Sequence, residues 1–295
     1  MRLNGLHLLL TYQCTYECDH CFVWGSPFQS GVMTLDQITS IMDQGLELGT
    51  VEWIYFEGGE PFLYYPVLIN AIQEANRRGF KVGLVTNSYW ATNPEDAQIW
   101  LSPLKAKVHD LSISSDVYHT SNDMQHLAIN AQQAATNLDI PCDVIRIAAP
   151  AAGNGENDEG STLMYRGRAT QKLAAQAAQQ DWRRFNSCPY EDLIDPGRVH
   201  IDALGNIHIC QGILVGNLFE AKLADIIGDY QPESHPVVGA LISGGPVELV
   251  RRYDLPHSEA YADACHLCYQ ARQSLRPQFP NFLGPDQVYG IYSTS

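Results

Sequence analysis

The sequence predicts an α/β protein with a parallel sheet, followed by a smaller domain that contains a β-hairpin. From the start to about residue 150, short apolar runs alternate with helical stretches, a pattern typical of repeated βα units. Further along, apolar residues alternate on both sides of Leu204-Gly205-Asn206, which indicates a hairpin. A chain of 295 residues is long enough for one large domain with such an appendage.

The predicted elements follow from apolar spacing and helix caps. Thr34 and Gln37 form a predicted capping box, and Pro and Gly bracket the next helix at its start and end. The predicted strands cover residues 6–10, 51–56, 81–86, 108–112 and 144–148. The predicted helices run from Thr34 to about Gly49, from Pro66 to about Gly79, from Asn93 onward, from about 122 to 137, and from about 170 to 182. The glycine-rich and acidic residues 153–160 are predicted to be a loop.

Composition and charge limit the classes of protein to consider. Hydrophobic residues make up 45% and charged residues 17% of the chain, as in ordinary globular proteins. The net charge of -15 disfavours nucleic acid as a partner. The longest apolar run near the N-terminus, residues 6–11, is too short to span a bilayer and lacks the flanks of a signal peptide. We therefore expect a cytoplasmic protein without a membrane partner.

Eight cysteines in a chain without an export signal favour metal ligands or buried thiols over disulfides. Cys14, Cys18 and Cys21 have the spacing C-x3-C-x2-C directly after the first predicted strand. Three thiolates from one short loop can each bind one iron of a [4Fe-4S] cluster and leave the fourth iron open. The alternative is a zinc site that also uses His20, but zinc sites usually contain paired C-x2-C motifs.

This cysteine motif resembles the signature of the radical S-adenosylmethionine (SAM) superfamily. The resemblance implies a partial (β/α)6 barrel of the TIM type, a site-differentiated [4Fe-4S] cluster on Cys14, Cys18 and Cys21, and SAM bound to its fourth iron. It also implies that the reduced cluster cleaves SAM to a 5′-deoxyadenosyl radical, which abstracts hydrogen from a substrate. An electron donor such as flavodoxin or ferredoxin is then required.

Several strand ends carry further candidate SAM contacts. Gly58-Gly59-Glu60-Pro61 follows the second strand and resembles the family's GGE motif, although an ordinary turn could have this sequence. Arg166 and Arg168 could approach the SAM carboxylate or an anionic substrate, or be paired elsewhere. The full predicted set of SAM-binding residues is Gly58, Gly59, Glu60, Thr86, Asn87, Ser112, Ser114, Asp116 and Arg146.

A second set of four cysteines, Cys188, Cys210, Cys265 and Cys268, can supply all the ligands of a closed [4Fe-4S] cluster or a structural zinc. The arrangement resembles the twitch domain, a shortened SPASM domain with one auxiliary cluster. We therefore predict a radical SAM partial barrel at residues 1–184 and a twitch/SPASM-like auxiliary domain at residues 185–295. Cys142 has no partner at ligand spacing and is predicted to be a buried apolar residue.

The substrate class is left open between two kinds of enzyme. One is maturation of a ribosomally synthesised peptide, and here we expect a separate protein to recognise the leader, because the chain begins almost at its first strand. The other is oxidation of a small-molecule alcohol or sugar, since the cysteine spacing also resembles an aminoglycoside-pathway dehydrogenase. A non-catalytic iron-sulfur or zinc protein is the third alternative, and no catalytic residue is assigned.

Overall fold

The protein is built around one mixed sheet of eight strands. The structure is a computed structural model, and it describes residues 1–116, 118, 125–148 and 162–292. Five strands, β1 to β5, lie side by side in parallel in the order β5-β4-β3-β2-β1. Their bounds are Gly5–Thr11, Trp53–Gly58, Lys81–Thr86, Asp110–Ser114 and Cys142–Ile145. This repeated βα arrangement confirms the predicted α/β class.

Four helices follow the first four strands and cover one face of the sheet. Their bounds are Leu35–Leu48 (α1), Tyr65–Arg77 (α2), Pro94–Leu101 (α3) and Gln125–Asn137 (α4). The predicted capping box of Thr34 and Gln37 is present, and α1 ends at Gly49 with a left-handed backbone. Asn93 caps α3. In the described ranges, no helix has the length and apolarity needed to cross a bilayer.

Alternating side chains divide the sheet into two faces. On β1, Leu6, Leu8 and Leu10 point into the main core against the helices, whereas Leu9 packs in a separate cluster. Residues of the opposite alternation, such as His7, point away from the helices. The inner face of the sheet therefore carries the side chains that can meet a ligand.

The predicted helix at residues 170–182 is wrong. Only Ala169–Lys172 (α5) is helical; a short 3-10 turn follows at Ala174–Gln176, and Gln180–Asp181 forms the strand β6. The alanines and glutamines of this segment favour helix by propensity, but they provide too little apolar side chain to bury a helix face. The predicted loop at residues 153–160 lies outside the described residues.

The C-terminal part continues the same sheet. After a 3-10 turn at Trp182–Arg184, the strand β7, Arg198–Ile201, pairs in parallel with β1 on the edge opposite β2. The strands β8 (Asn206–Cys210) and β9 (Ile213–Asn217) then add in antiparallel fashion. The predicted hairpin is confirmed, and it extends the parallel sheet.

Three more helices and a short strand complete the fold. They are Leu223–Asp229 (α6), Val238–Arg252 (α7), Ala260–Tyr261 (β10) and Ala264–Leu275 (α8). Helix α7 is kinked at Gly244 and Gly245. Helices α7 and α8 pack with β8 and β9 around a second core. This second core carries the second set of cysteines.

Candidate functional site

The first cysteine loop lies at the carboxyl ends of the parallel strands. It leaves β1 and returns through a hydrogen bond from the Cys14 N–H to the Ser26 carbonyl (3.0 Å). Cys14 and Cys18 are buried and Cys21 is half-buried. All three line one cavity of about 260 Å³. The carboxyl edge of a parallel sheet is where α/β proteins place their ligand sites.

Arg168 forms hydrogen bonds to the backbone of the cysteine loop. Its guanidinium donates to the carbonyls of Cys18 and Gly25, both at 2.8 Å, and stacks over the Trp24 ring. Its own N–H donates to the Cys21 carbonyl at 2.9 Å. The side chain is 3% exposed, and the cavity lining does not include it. Arg168 is therefore a positioning residue for the loop.

Hydrogen-bond donors surround two of the sulfur atoms. The Cys21 Sγ accepts from the Gly25 N–H at 3.2 Å, and the Cys14 Sγ accepts from the Tyr16 N–H at 3.5 Å and the Asn87 amide at 3.4 Å. Such donors orient cluster thiolates and tune their charge. Burial, with the nearby Glu60 charge, raises the pKa of Cys14 to about 12. A bound metal cation would stabilise the thiolate form of Cys14.

The Gly58-Gly59 pair lets the end of β2 approach the cysteine loop. A Cβ on Gly59 would stand 2.0 Å from the Gln13 carbonyl oxygen, and Gly58 has a φ of +132°. Only glycine fits this approach. Both glycines line the cavity. Steric constraints therefore explain why glycine stands at both position 58 and position 59.

Glu60 lies behind the cavity wall. Its carboxylate accepts hydrogen bonds from the Phe62 N–H (3.0 Å), the Thr86 hydroxyl (2.9 Å) and the Asn87 N–H (2.7 Å). The side chain is fully buried and joins the ends of β2 and β3. Burial raises its pKa to about 7, although the three donors oppose the shift.

The other predicted SAM contacts divide into two groups. Those that line the cavity are Thr86, Asn87 and Ser114. Ser112, Asp116 and Arg146 are not part of its lining. Arg146 is exposed, whereas its neighbours Ile145 and Ile147 line the cavity. Successive side chains in an extended segment point to opposite faces, so Arg146 points away from the cavity.

Asp116 supports the wall without facing the cavity. It accepts from the N–H groups of Tyr118 (3.0 Å) and Ile147 (3.3 Å) and lies 3.8 Å from the His20 ring. His20, which the zinc alternative would use, lines the cavity and packs on Tyr118. Cys142 is half-buried on β5 against the main core.

The four remaining cysteines meet around a second, smaller cavity of about 30 Å³. Cys210 ends β8, and Cys188 lies in the loop after the 3-10 turn. Cys265 and Cys268 stand three residues apart in the first turns of α8, so they share one face of the helix. Asp263 caps this helix by accepting from the His266 N–H at 2.7 Å.

Two buried arginines lie beside these cysteines. Arg166 lines both cavities and places its Nη1 3.7 Å from the Cys210 Sγ and 3.3 Å from Glu191. Arg272, 2% exposed, donates to the Gln211 carbonyl at 2.7 Å. Burial raises the pKa of Cys268 to about 12, and the Arg272 charge opposes that shift. Two guanidinium groups are thus placed to balance a four-thiolate centre.

One polar group of the inner face was missed from the sequence. His7, Glu57 and His200 come together on three neighbouring strands, with Glu57 on the cavity wall. In the sequence, each of the three is a polar residue at an inward position of a strand. Their proximity could not be predicted, because it depends on the pairing of β7 with β1.

Comparison with known proteins finds similarity to one family and to several relatives. The family model "Radical SAM superfamily" matches residues 8–119. The putative peptide biosynthesis protein YydG of Bacillus subtilis (strain 168) is 28% identical over 111 residues, which cover 37% of this chain and 35% of YydG. An S-adenosylmethionine-dependent nucleotide dehydratase of Selenomonas ruminantium is 29% identical over 145 residues, 48% of this chain and 50% of that protein. The matches thus span a third to a half of these relatives.

A solved structure resembles the chain over most of its length. The crystal structure of BtrN in complex with AdoMet and 2-DOIA superposes with a TM-score of 0.54 at 12% identity, covering 91% of this chain and 92% of BtrN. At this identity the likeness concerns the fold. The matched residues 8–119 include the cysteine loop and the strands β1 to β4 that bound the cavity. Residues 8–119 of the chain, which contain the first cysteine loop, are similar to the radical SAM superfamily.

Proposed function

We propose that Cys14, Cys18 and Cys21 hold a site-differentiated [4Fe-4S] cluster and that the adjoining cavity binds SAM. The observation that carries this proposal is the meeting of the three thiols with Gly58, Gly59 and the ends of β3 and β4 on one cavity wall. When bound and reduced, the cluster supplies the electron that cleaves SAM to methionine and a 5′-deoxyadenosyl radical. Residues of this chain bind and orient the reactants around it.

The cavity lining suggests a role for each side of the site. Thr86, Asn87 and Ser114 offer hydroxyl and amide groups to the polar parts of SAM. Leu9, Val85 and Ile145 provide apolar contact on the same wall. A largely apolar wall with few polar groups is typical of a small-molecule site. It also excludes other hydrogen-atom donors, which would quench a radical formed there.

The test is SAM cleavage by the reconstituted protein. After anaerobic loading with iron and sulfide, dithionite and SAM are added and 5′-deoxyadenosine is measured by liquid chromatography. We expect 5′-deoxyadenosine from the wild-type chain and none from Cys18→Ala. The matched control Cys142→Ala lies outside both cysteine sets and should retain activity. Equal formation by Cys18→Ala would refute the proposed cluster site.

We also propose that residues 185–295 form a twitch-like domain and that Cys188, Cys210, Cys265 and Cys268 hold an auxiliary [4Fe-4S] cluster. The support is their meeting at one cavity, flanked by the guanidinium groups of Arg166 and Arg272. Four protein ligands leave no open iron. An electron-transfer role therefore fits better than substrate binding.

Iron content separates this proposal from a structural zinc. A variant with all four cysteines of the second set changed to alanine should lose about four of about eight irons per chain. Finding four irons in the wild type, with one zinc removed by the same changes, would instead identify a zinc site. Full substrate turnover by the four-alanine variant would argue against electron transfer.

For the substrate, we propose a ribosomally synthesised peptide. The support is the similarity to YydG, named as a putative peptide biosynthesis protein, over 37% of this chain. The dehydratase of Selenomonas ruminantium matches 48% of the chain at a comparable identity, so the substrate class is decided by the following experiment. Incubation with a short peptide encoded beside the gene should give a mass change that requires SAM. Oxidation of a sugar or alcohol without any peptide product would overturn this substrate class.

A further inference from the structure

Three side chains of the inner sheet face form a group that the proposed SAM chemistry does not use. His7 of β1 and His200 of β7 are direct neighbours in the parallel register, and Glu57 of β2 pairs with Leu9, two residues beyond His7. Residues two apart on a strand share a face. The three side chains therefore project together from three adjacent strands.

The ring nitrogens of both histidines lie close to the carboxylate oxygens of Glu57. Glu57 Oε2 lies 3.4 Å from His7 Nδ1, and Glu57 Oε1 lies 3.0 Å from His200 Nε2. One ligand atom from each residue lies within 4.8 Å of the other two. The side chains are only 13% to 15% exposed. This is a compact set of two imidazole nitrogens and one carboxylate.

The contacts are short, but they are poor hydrogen bonds. Among the described residues, neither His7 Nδ1 nor Glu57 Oε1 has a hydrogen-bond partner of acceptable geometry, although both atoms are buried. Buried polar atoms are normally satisfied, so an unsatisfied pair in one group calls for an explanation. Close nitrogen and oxygen atoms without mutual hydrogen bonds are expected of ligands that share a metal ion.

We propose that His7, Glu57 and His200 bind a divalent first-row transition metal ion, with zinc as the expected ion. Ligands about 2.0–2.2 Å from zinc in a tetrahedral site stand roughly 3.4 Å apart. The Glu57 oxygens lie at similar distances, Oε2 at 3.4 Å from His7 and Oε1 at 3.0 Å from His200, and one ligand atom from each residue lies within 4.8 Å of the others. Two histidines and one glutamate form a ligand set of known metal sites, which leave one position open. Because Glu57 lines the main cavity, the ion would offer that position to a nitrogen or oxygen atom bound there.

The neighbouring side chains help to fix the ligands. The His7 ring stacks on Tyr55 at 4.5 Å with an angle of 14° between the planes. The Tyr55 hydroxyl donates to Asp110 Oδ2 at 2.8 Å. This hydrogen bond fixes the Tyr55 ring, and the stack in turn restricts rotation of the His7 ring. The proposal goes beyond the radical function, since SAM cleavage by the first cluster needs no ion at this position.

Zinc content tests the proposal in the iron-sulfur-loaded protein, where the thiols are already occupied. The holoprotein is treated with EDTA, equilibrated with zinc sulfate, desalted and measured for zinc and iron by mass spectrometry. We expect about one zinc per chain that does not displace iron, and a loss of at least about fivefold in His200→Ala and Glu57→Gln. The matched control His257→Ala, an exposed histidine beside Trp182, should bind zinc like the wild type.

X-ray absorption at the zinc edge of the wild-type holoprotein decides the question even if a variant fails to fold. Two imidazole ligands and no sulfur in the zinc shell support the site. Sulfur ligands, the absence of zinc above background, or undiminished zinc in a folded His200→Ala would overturn it. Because zinc is measured without SAM, a failure here is distinct from a failure to form 5′-deoxyadenosine.

Discussion

At the scale of single residues, one buried charge positions the first cysteine loop. The Arg168 guanidinium is almost inaccessible to water and donates to two loop carbonyls, those of Cys18 and Gly25. A buried cation is costly unless it is fully hydrogen-bonded. Its partners here are carbonyls of the loop itself, so the cost of burying Arg168 is offset only when the loop has its folded form.

Arg168→Met should therefore disrupt the loop. The change leaves the two buried carbonyls without their donor, at about 1–3 kcal/mol each. We expect the free energy of unfolding to fall by about 2–6 kcal/mol and the first cluster to incorporate less iron. Urea unfolding and iron analysis after reconstitution measure both effects. Arg183→Met, at an exposed arginine paired with Asp181, is the control, and equal losses in the two variants would contradict the assigned role.

Glu60 provides a pH-dependent test of burial at the site. Its pKa is raised from 4.5 to about 7, chiefly by burial. Because the folded protein disfavours the ionised carboxylate, its stability contribution is fully present below about pH 4.5 and is lost as the pH rises through about 7.

In the protein prepared without iron or SAM, raising the pH from 5 to 8 should lower the free energy of unfolding of the wild type relative to Glu60→Gln by about 3 kcal/mol. Gln cannot ionise, so the variant lacks the pH dependence of stability that Glu60 causes. Hydrogen bonds lost in the variant change its stability by the same amount at both pH values and cancel in the comparison. Urea unfolding of both proteins at the two pH values gives the difference. Parallel pH profiles would show that Glu60 ionises freely in the folded chain.

At the scale of elements, the kink in α7 brings a loop close to the second cysteine set. Gly245 has a φ of +66°, and a Cβ there would lie 2.3 Å from the Ser187 N and 2.4 Å from the Asn186 carbonyl carbon. The segment that leads to Cys188 therefore packs directly against the glycine. The kink thus makes room for the backbone that positions Cys188 at the second site.

Gly245→Ala should displace this segment and reduce iron at the second site, with a loss of at least about 1 kcal/mol of stability from the strained backbone. Gly228→Ala in α6 is the matched control, since a Cβ there meets no heavy atom within 4 Å. Iron analysis and thermal unfolding compare the two variants. Normal iron content in Gly245→Ala would show that the close contact can relax without cost to the site.

The same elements show what sequence patterns can and cannot predict. Strand β3 and the capped start of α1 were predicted correctly because their signals are local. Strand β4 was predicted two residues too early, since its inward Ser112 and Ser114 interrupt the apolar pattern. Cysteine motifs in contiguous segments were visible in the sequence. The group of His7, Glu57 and His200 was not, because its members come from distant strands.

At the scale of the whole molecule, the two predicted domains share a sheet. Strand β7 covers one edge of β1, while residues of the hairpin and α6, including Ile201, Ile207 and Leu223, join the main core. A fragment cut at the predicted boundary would expose both an unpaired strand edge and apolar core surface. The parallel sheet therefore depends on residues beyond 184.

A chain of residues 1–184 should accordingly be poorly soluble and lack a cooperative thermal transition by circular dichroism. A chain of residues 1–230, which retains the hairpin and α6, should be more soluble and keep more of its structure because it restores the edge and the core contacts. A folded, cooperative 1–184 fragment would instead show that the first region is independent.

Electron paramagnetic resonance of the reduced, reconstituted protein, before and after SAM is added, tests whether the first cysteine loop holds a cluster with an open iron. To isolate the first site, the measurement uses the variant whose second cysteine set is changed to alanine. A cluster held by Cys14, Cys18 and Cys21 with an open fourth iron predicts a reduced-cluster signal whose g-values change when SAM binds. A signal that is unaffected by saturating SAM, or no cluster signal at all, would contradict the account.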